Sequence, residues 1–302
     1  MNTLVLKVDV DTWRGTREGV PRLQRLFEQQ GVTATFLFCL GPDRTGRALR
    51  RALRPGFFSK VSRTSVVQHY GVKTLLYGTL LPAPDIGRRE AHTLRAVRDA
   101  GFECGVHAWD HTTWQDYVAA RDAAWTREQL RLAVERFTEI FGEAPRMHGA
   151  AGWQMNPAAY GLLGEFGFAA ASDCRGTQPF QPVDAAGRFL GPPQLPTTLP
   201  TLDELIGRDG WTEDNVHQAL LTQTKRTPRT LEVYTLHAEL EGQRLLPTLQ
   251  RLLEGWRAQG KRFVTLGEAA AALPREALPR LVPTMGEVPG RSGTLAVEPV
   301  AL

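Results

Sequence analysis

Short apolar runs alternate along this chain with amphipathic helical stretches, and several of the runs end in charged or polar residues. In the first, Leu4, Leu6 and Val8 alternate with Val5, which predicts a buried β-strand. A second strand is predicted over 33–38, after a helix whose apolar face is Val20, Leu23, Leu26 and Phe27 and whose C-terminal cap is Gly31. Helices are expected over 86–100, 126–141 (with Thr126 as N-cap), 157–165 and 245–259. Further strands are expected over 102–106, 168–171, 231–236 and 262–265. Strands and helices in this order make a parallel βαβ architecture the expected one.

At 302 residues the chain has the length of one α/β barrel-sized domain. The expected division is a catalytic domain over 1–273, with an insertion at 41–87, followed by an irregular tail over 274–302 that holds five prolines. An apolar content of 42% and a mean hydropathy of −0.26 describe a globular chain with a full core. No run reaches the roughly 18 apolar residues of a membrane-spanning helix. Asp9 and Asp11 interrupt the first apolar stretch, so no signal peptide is expected. Cys39, Cys104 and Cys174 have no metal-like spacing and are read as reduced thiols.

The net charge of +4 is unevenly spread. Between Arg44 and Pro84 stand eight Lys or Arg and no Asp or Glu, so the remainder of the chain carries 4 − 8 = −4. Apolar residues interleave with these charges, and Arg47, Arg50, Arg51 and Arg54 beside Leu49, Leu53, Phe57 and Phe58 predict an amphipathic helix at an anionic bilayer surface. A solvated lid over the active site is the alternative. Nucleic acid is not expected, because the stacking platform and regular motifs of such proteins are missing.

The chemistry gathers after the strands. The first yields Asp9 and Asp11, two carboxylates two residues apart that point to one side of extended chain. Like charges so placed call for a positive third party. The strand at 102–106 yields His107 and His111, a pair that would share one side of a helical turn. Ser172, Asp173 and Arg175 follow the strand near 170, and His237 and Glu239 follow the late one. In parallel α/β folds the carboxyl ends of strands share a face, so these groups converge there. Two imidazoles and a carboxylate suit Zn²⁺ or a similar divalent ion such as Mn²⁺ or Co²⁺. One Asp is then a ligand, and the other is placed to accept a proton from water. Taken singly, each motif has a plainer reading: Asp is common in turns, and His148 stays open between structural and functional roles.

These residues resemble the polysaccharide deacetylase (NodB-homology, carbohydrate esterase family 4) superfamily. The resemblance implies a distorted (β/α) barrel, here with a basic and apolar insertion after the second strand. It implies Asp9 as base, Asp11, His107 and His111 as metal ligands, and His237, in Tyr-Thr-Leu-His, as general acid. The superfamily's base-holding Arg has two candidates here, Arg146 and Arg175. The stretches VDVDTWRGTREGVPRL, GVHAWDHTTWQ, AAGWQ, SDCRG, TLPTLDELIGRD and YTLHAELEG look, more closely, like the 4-deoxy-4-formamido-L-arabinose-phosphoundecaprenol deformylases. That likeness implies removal of formyl from a polyprenyl-phosphate-linked amino sugar at the cytoplasmic face of the bacterial inner membrane, within lipid A modification and polymyxin resistance. Asp173 is then expected to orient His237, an N–H of the 150–152 turn to face the oxyanion, and Arg14, Arg17, Arg175, Trp153 and Glu239 to contact substrate. The alternatives are N-deacetylation of another polysaccharide or lipid-linked amino sugar, and a non-catalytic, membrane-peripheral lipid-binding protein.

Overall fold

The apolar runs become parallel strands in the computed structural model, which describes residues 2–48, 71–226 and 229–299. β1 (Thr3–Val10), β2 (Thr35–Cys39), β3 (Glu103–Ala108), β4 (Met147–His148) and β5 (Ala170–Ala171) follow one another outward. β6 (Gln181–Pro182) stands outside this sheet, β7 (Leu231–His237) pairs with the other side of β1, and β8 (Arg262–Val264) pairs with the start of β1. The order β5-β4-β3-β2-β1-β7 makes a curled, all-parallel half-barrel. β1 is buried along nearly its whole length and has strands paired on both of its edges.

Helix Val20–Gln30 ends at Gly31, whose φ of 58° is the left-handed C-cap expected there. Phe27, Phe36 and Phe102 pack edge to face in the core beneath it, each burial contributing roughly 1.5–3 kcal/mol. The helix expected to start at Thr126 instead spans Ala123–Phe141, with Asp122 capping it through the Trp125 N–H at 2.9 Å. Thr126 is buried in the first turn and accepts a hydrogen bond from Asn156, so its hydroxyl ties two helices rather than capping one. The expected 86–100 helix is two, Ile86–Arg89 and Ala91–Asp99, parted at Glu90, whose carboxylate accepts the Trp13 indole N–H.

The tail is not irregular. β9 (Arg280–Leu281) pairs with β6, and β10 (Thr284–Glu287) with β11 (Thr294–Val297) forms an antiparallel hairpin that buries Leu295 and Ala296. Its prolines at 274, 279, 283, 289 and 299 all lie outside the strands, where their missing N–H breaks no ladder. Most of the basic segment's expected helix, from Leu49 to Phe58, lies outside the described residues. Of its arginines, Arg44 pairs with Asp110 and Arg47 donates to the Gly78 carbonyl. Among the described residues no helix is long and apolar enough to cross a membrane, and the three cysteines are free.

Candidate active site

Period two along β1 places Lys7 and Asp9 on one face. The fully buried Lys7 Nζ donates to Asp9 Oδ2 at 3.0 Å. Asp9 Oδ1 is buried without a hydrogen-bond partner among the described residues. Just past the strand, Asp11 faces both histidines, with Oδ1 3.2 Å from His107 Nε2 and Oδ2 3.4 Å from His111 Nε2. Burial pushes its carboxyl pKa up, but the charges of His111 and His107 and the contact with His107 outweigh that and hold it well below the usual carboxylate range.

The two histidines do not share a helical turn. His107 lies on β3, and His111 is the first residue of helix His111–Tyr117, which Asp110 caps through the Thr113 N–H at 3.0 Å. The strand-to-helix corner brings the rings to 5.4 Å. His107 Nδ1 lies 2.6 Å from the Gly149 carbonyl, which can only accept, so Nδ1 carries a proton and Nε2 is the ring nitrogen turned toward Asp11. Burial lowers the His107 pKa, but the charges of Asp9 and Asp11 win and raise it. One ligand atom each from Asp11, His107 and His111 fall within 4.8 Å of one another. A buried carboxylate whose two oxygens each face an imidazole nitrogen is a donor set that fits a divalent cation of the Zn²⁺ class.

Gly149 serves twice, through its carbonyl and through its lack of a side chain. A Cβ there would meet Leu37 Cδ1 at 2.4 Å and Lys7 Cε at 2.8 Å, so only glycine lets Lys7 lie flat against this turn. Asp173, fully buried, braces the same turn. It accepts from Ala150 N–H at 2.9 Å and from the Gln194 amide at 2.9 Å, and meets His148 Nδ1 at 2.6 Å. Its expected partner was His237, but Asp173 follows β5 at one edge of the sheet and His237 ends β7 at the other. His148 thereby takes a structural place, edge-on to Trp114 and Phe168. The Ala150 N–H, consumed by Asp173, is not available to an oxyanion.

The other expected substrate contacts divide. Trp153 lines the same cleft as Asp9, Asp11, His107, His111 and His237, a cavity of about 250 Å³, although only 2% of its surface is exposed. Glu239 turns inward, its Oε1 accepting from the N–H of Asp11 and from the N–H and hydroxyl of Thr12 at 2.8–3.1 Å. Burial, then the charge of Asp11, raise its pKa well above the usual value against the Thr12 hydrogen bonds. Gly15 allows this approach, since a Cβ there would overlap Glu239 Oε1 at 1.8 Å. Arg17 lies over Trp13 and pairs with Glu18, and Arg14 pairs with Glu18 at 3.1 Å; neither lines the cleft. Arg175 is buried against Glu204. Arg146 is exposed and lines a separate cavity at the amino ends of β3–β5. Neither arginine holds Asp9; Lys7 does.

Three residues that shape the site went unread in the sequence. Lys7 stood in plain sight within the first run, where an isolated Lys among apolar neighbours is the signal. Asp203 and Arg291 also line the cavity, joined at 3.1 Å. Burial raises the Asp203 pKa, but the charges of Arg291 and His237 and the Thr201 hydroxyl lower it overall.

A 40% identical relative from Shewanella sediminis, matched over 238 residues (78% of this chain, 75% of the relative), is the probable 4-deoxy-4-formamido-L-arabinose-phosphoundecaprenol deformylase ArnD. The chain belongs to the ArnD deformylase family. A second relative of the same name, from Wigglesworthia glossinidia brevipalpis, is 29% identical over 94% of this chain and 98% of its own. No family model matches the chain. A putative polysaccharide deacetylase from Mycobacterium smegmatis superposes with a TM-score of 0.64 over 95% of this chain and 96% of its own at 17% identity, which establishes the shared fold. The chain is accordingly a hydrolase of amide bonds, and a purely lipid-binding role is set aside.

Proposed function

We propose that this chain removes the formyl group from 4-deoxy-4-formamido-L-arabinose carried on undecaprenyl phosphate, the reaction for which its relatives are named. The observation that carries the reading is the division of labour between two carboxylates on one strand end. Asp11 faces His107 and His111, while Asp9, tied through one oxygen to Lys7, keeps the other oxygen without a hydrogen-bond partner among the described residues.

Asp11, His107 and His111 are the residues that would hold a divalent cation. Such an ion supplies Lewis-acid polarisation of the amide carbonyl and acidifies water. Asp9 Oδ1 accepts the proton of the water that attacks the formyl carbon, Lys7 fixing the direction in which that oxygen points. His237, held at the end of β7 by its own N–H donated to Glu241 Oε2 at 2.8 Å, protonates the departing nitrogen as the C–N bond breaks. Formate and the free amine are the products. The gathered residues hold the amide between proton acceptor and proton donor, so that proton transfer and bond breaking proceed from one bound geometry.

A lipid-linked substrate must be presented from a bilayer, in this reading the anionic cytoplasmic face of the inner membrane. The edges of the insertion support that: Thr45, Ala48 and Leu75 line the cleft, while Val72 and Leu80 beside them are 62% and 81% exposed. The pathway served would be aminoarabinose addition to lipid A, with polymyxin resistance as its outcome. The test is release of formate from the formamido-arabinose lipid set against release of acetate from its acetamido analogue. Preference for the acetamido compound would move the chain to N-deacetylation of a related sugar.

A further inference from the structure

Three cations crowd one indole. Lys7 Nζ lies 5.2 Å, the Arg175 guanidinium 5.1 Å and the Arg291 guanidinium 4.8 Å from the ring centroid of Trp153. Each also faces a carboxylate: Lys7 meets Asp9, Arg175 meets Glu204, and Arg291 meets Asp203 at 3.1 Å and Glu204 at 2.7 Å. The His237 ring stands edge-on to the same indole, with centroids 6.5 Å apart and planes at 80°. Each cation is thus held between a carboxylate and the indole, whose face carries partial negative charge.

The backbone under the ring is held in an uncommon state. Gly152 and Trp153 follow each other with φ of 60° and 52°, both left-handed, and for a bulky residue such as Trp153 this is strained. Strain of this kind persists only where the surroundings over-determine it, and it concentrates at functional sites. Here the indole N–H donates to Thr197 Oγ1 at 3.2 Å, and that hydroxyl also pairs with Thr235 at 2.7 Å on β7. A ring that is 2% exposed offers no stacking face to a sugar.

We propose that Trp153 is a positioning residue that couples the two ends of the proton path. On one side it seats Lys7, which aims Asp9. On the other it seats Arg291, which holds Asp203 in the cleft that His237 also lines. Arg291 arrives from the loop between β10 and β11, so the C-terminal hairpin belongs to the catalytic machinery. The proposal rests on the assignment of Asp9 as base and His237 as acid.

The test is a cycle of Lys7→Met, Arg291→Gln and the double variant, made with Trp153 present and again with Trp153→Leu. With Trp153 present, the double variant is expected to lose at least tenfold less kcat than the product of the single losses, because either change already unseats the shared ring. With Trp153→Leu the losses should multiply, and Trp153→Leu alone should lower kcat with KM within about twofold. Trp153→Phe, which keeps a π face, should recover part of the loss. Losses that multiply in both backgrounds, or a Trp153→Leu variant with raised KM and unaltered kcat, would overturn the coupling. Unfolding midpoints of the same proteins report the coupling without substrate, as non-additive shifts that vanish in Trp153→Leu. A wild type that releases no formate yet shows that pattern would sink the proposed reaction and leave the coupling standing; additive midpoints would sink the coupling.

Discussion

Lys7 Nζ and Asp9 Oδ2 meet at 3.0 Å on the same face of β1, both buried, with the Gly149 turn packed against the lysine. An ammonium on the same strand does here what an arginine from another segment was expected to do.

Replacing Lys7 by Met removes one partner of a buried pair and leaves a carboxylate without its counter-charge. The expected cost is about 3–5 kcal/mol of stability and a fall in kcat of about 10²-fold or more, the scale of one proton-transfer catalyst. Lys7→Arg restores the charge and should recover much of the kcat. Urea unfolding and steady-state kinetics check both. An arginine variant no better than Met would show that steric fit, not charge, is what Asp9 requires.

Asp173 acts at a distance, through the turn that carries Gly149 and so through the orientation of His107. Asp173→Asn keeps the shape but places an amide against the Ala150 N–H or the Gln194 amide, leaving a buried donor unpaired at a cost of about 1–3 kcal/mol. Lowered stability and weakened binding of a divalent ion are expected. If Asp173→Asn binds the ion as the wild type does and loses kcat alone, direct help to His237 is restored as its role.

Much of this was legible in the sequence, and the reason is periodic. Strand ends after apolar runs identified Asp9, Asp11, His107, His111 and His237, and their convergence follows from parallel topology alone. Partner choice was not legible, because it depends on which strands are neighbours. Asp173 and His237 both follow strands, but four strands lie between β5 and β7. Arg291 was hidden for a related reason: its loop lies 54 residues beyond His237, and proline content suggested an irregular tail where the prolines merely bound the strands.

Glu103 lends itself to a pH experiment away from the cleft. Burial raises its pKa above 4.5 despite hydrogen bonds from Thr35 and the Gly267 N–H. A carboxyl with a raised folded pKa binds its proton more tightly folded than unfolded, so stability falls as pH rises from about 4.5 through the folded value, then levels. Glu103→Gln should therefore melt higher than wild type at pH 8, with the gap closing at pH 4. A gap independent of pH would remove ionisation as the cause.

The exposed Val72 and Leu80 offer a test of bilayer docking within the described residues. Burial of side chains of this size contributes about 1.5–3 kcal/mol each. Changing both to Ser should lower sedimentation with anionic liposomes at least tenfold, with binding of a divalent ion unaltered. Sedimentation equal to that of the wild type would exclude this face from the bilayer.

The division of labour between Asp9 and Asp11 is tested most directly by measuring bound divalent ion and formate release together on Asp9→Asn and Asp11→Ala. The account predicts that Asp9→Asn retains the ion at wild-type stoichiometry while its formate release falls at least 10²-fold. Asp11→Ala should lose both ion and turnover, as should the wild type after chelation. An Asp9→Asn enzyme that turns over normally, or an Asp11→Ala enzyme that keeps its ion, would contradict it.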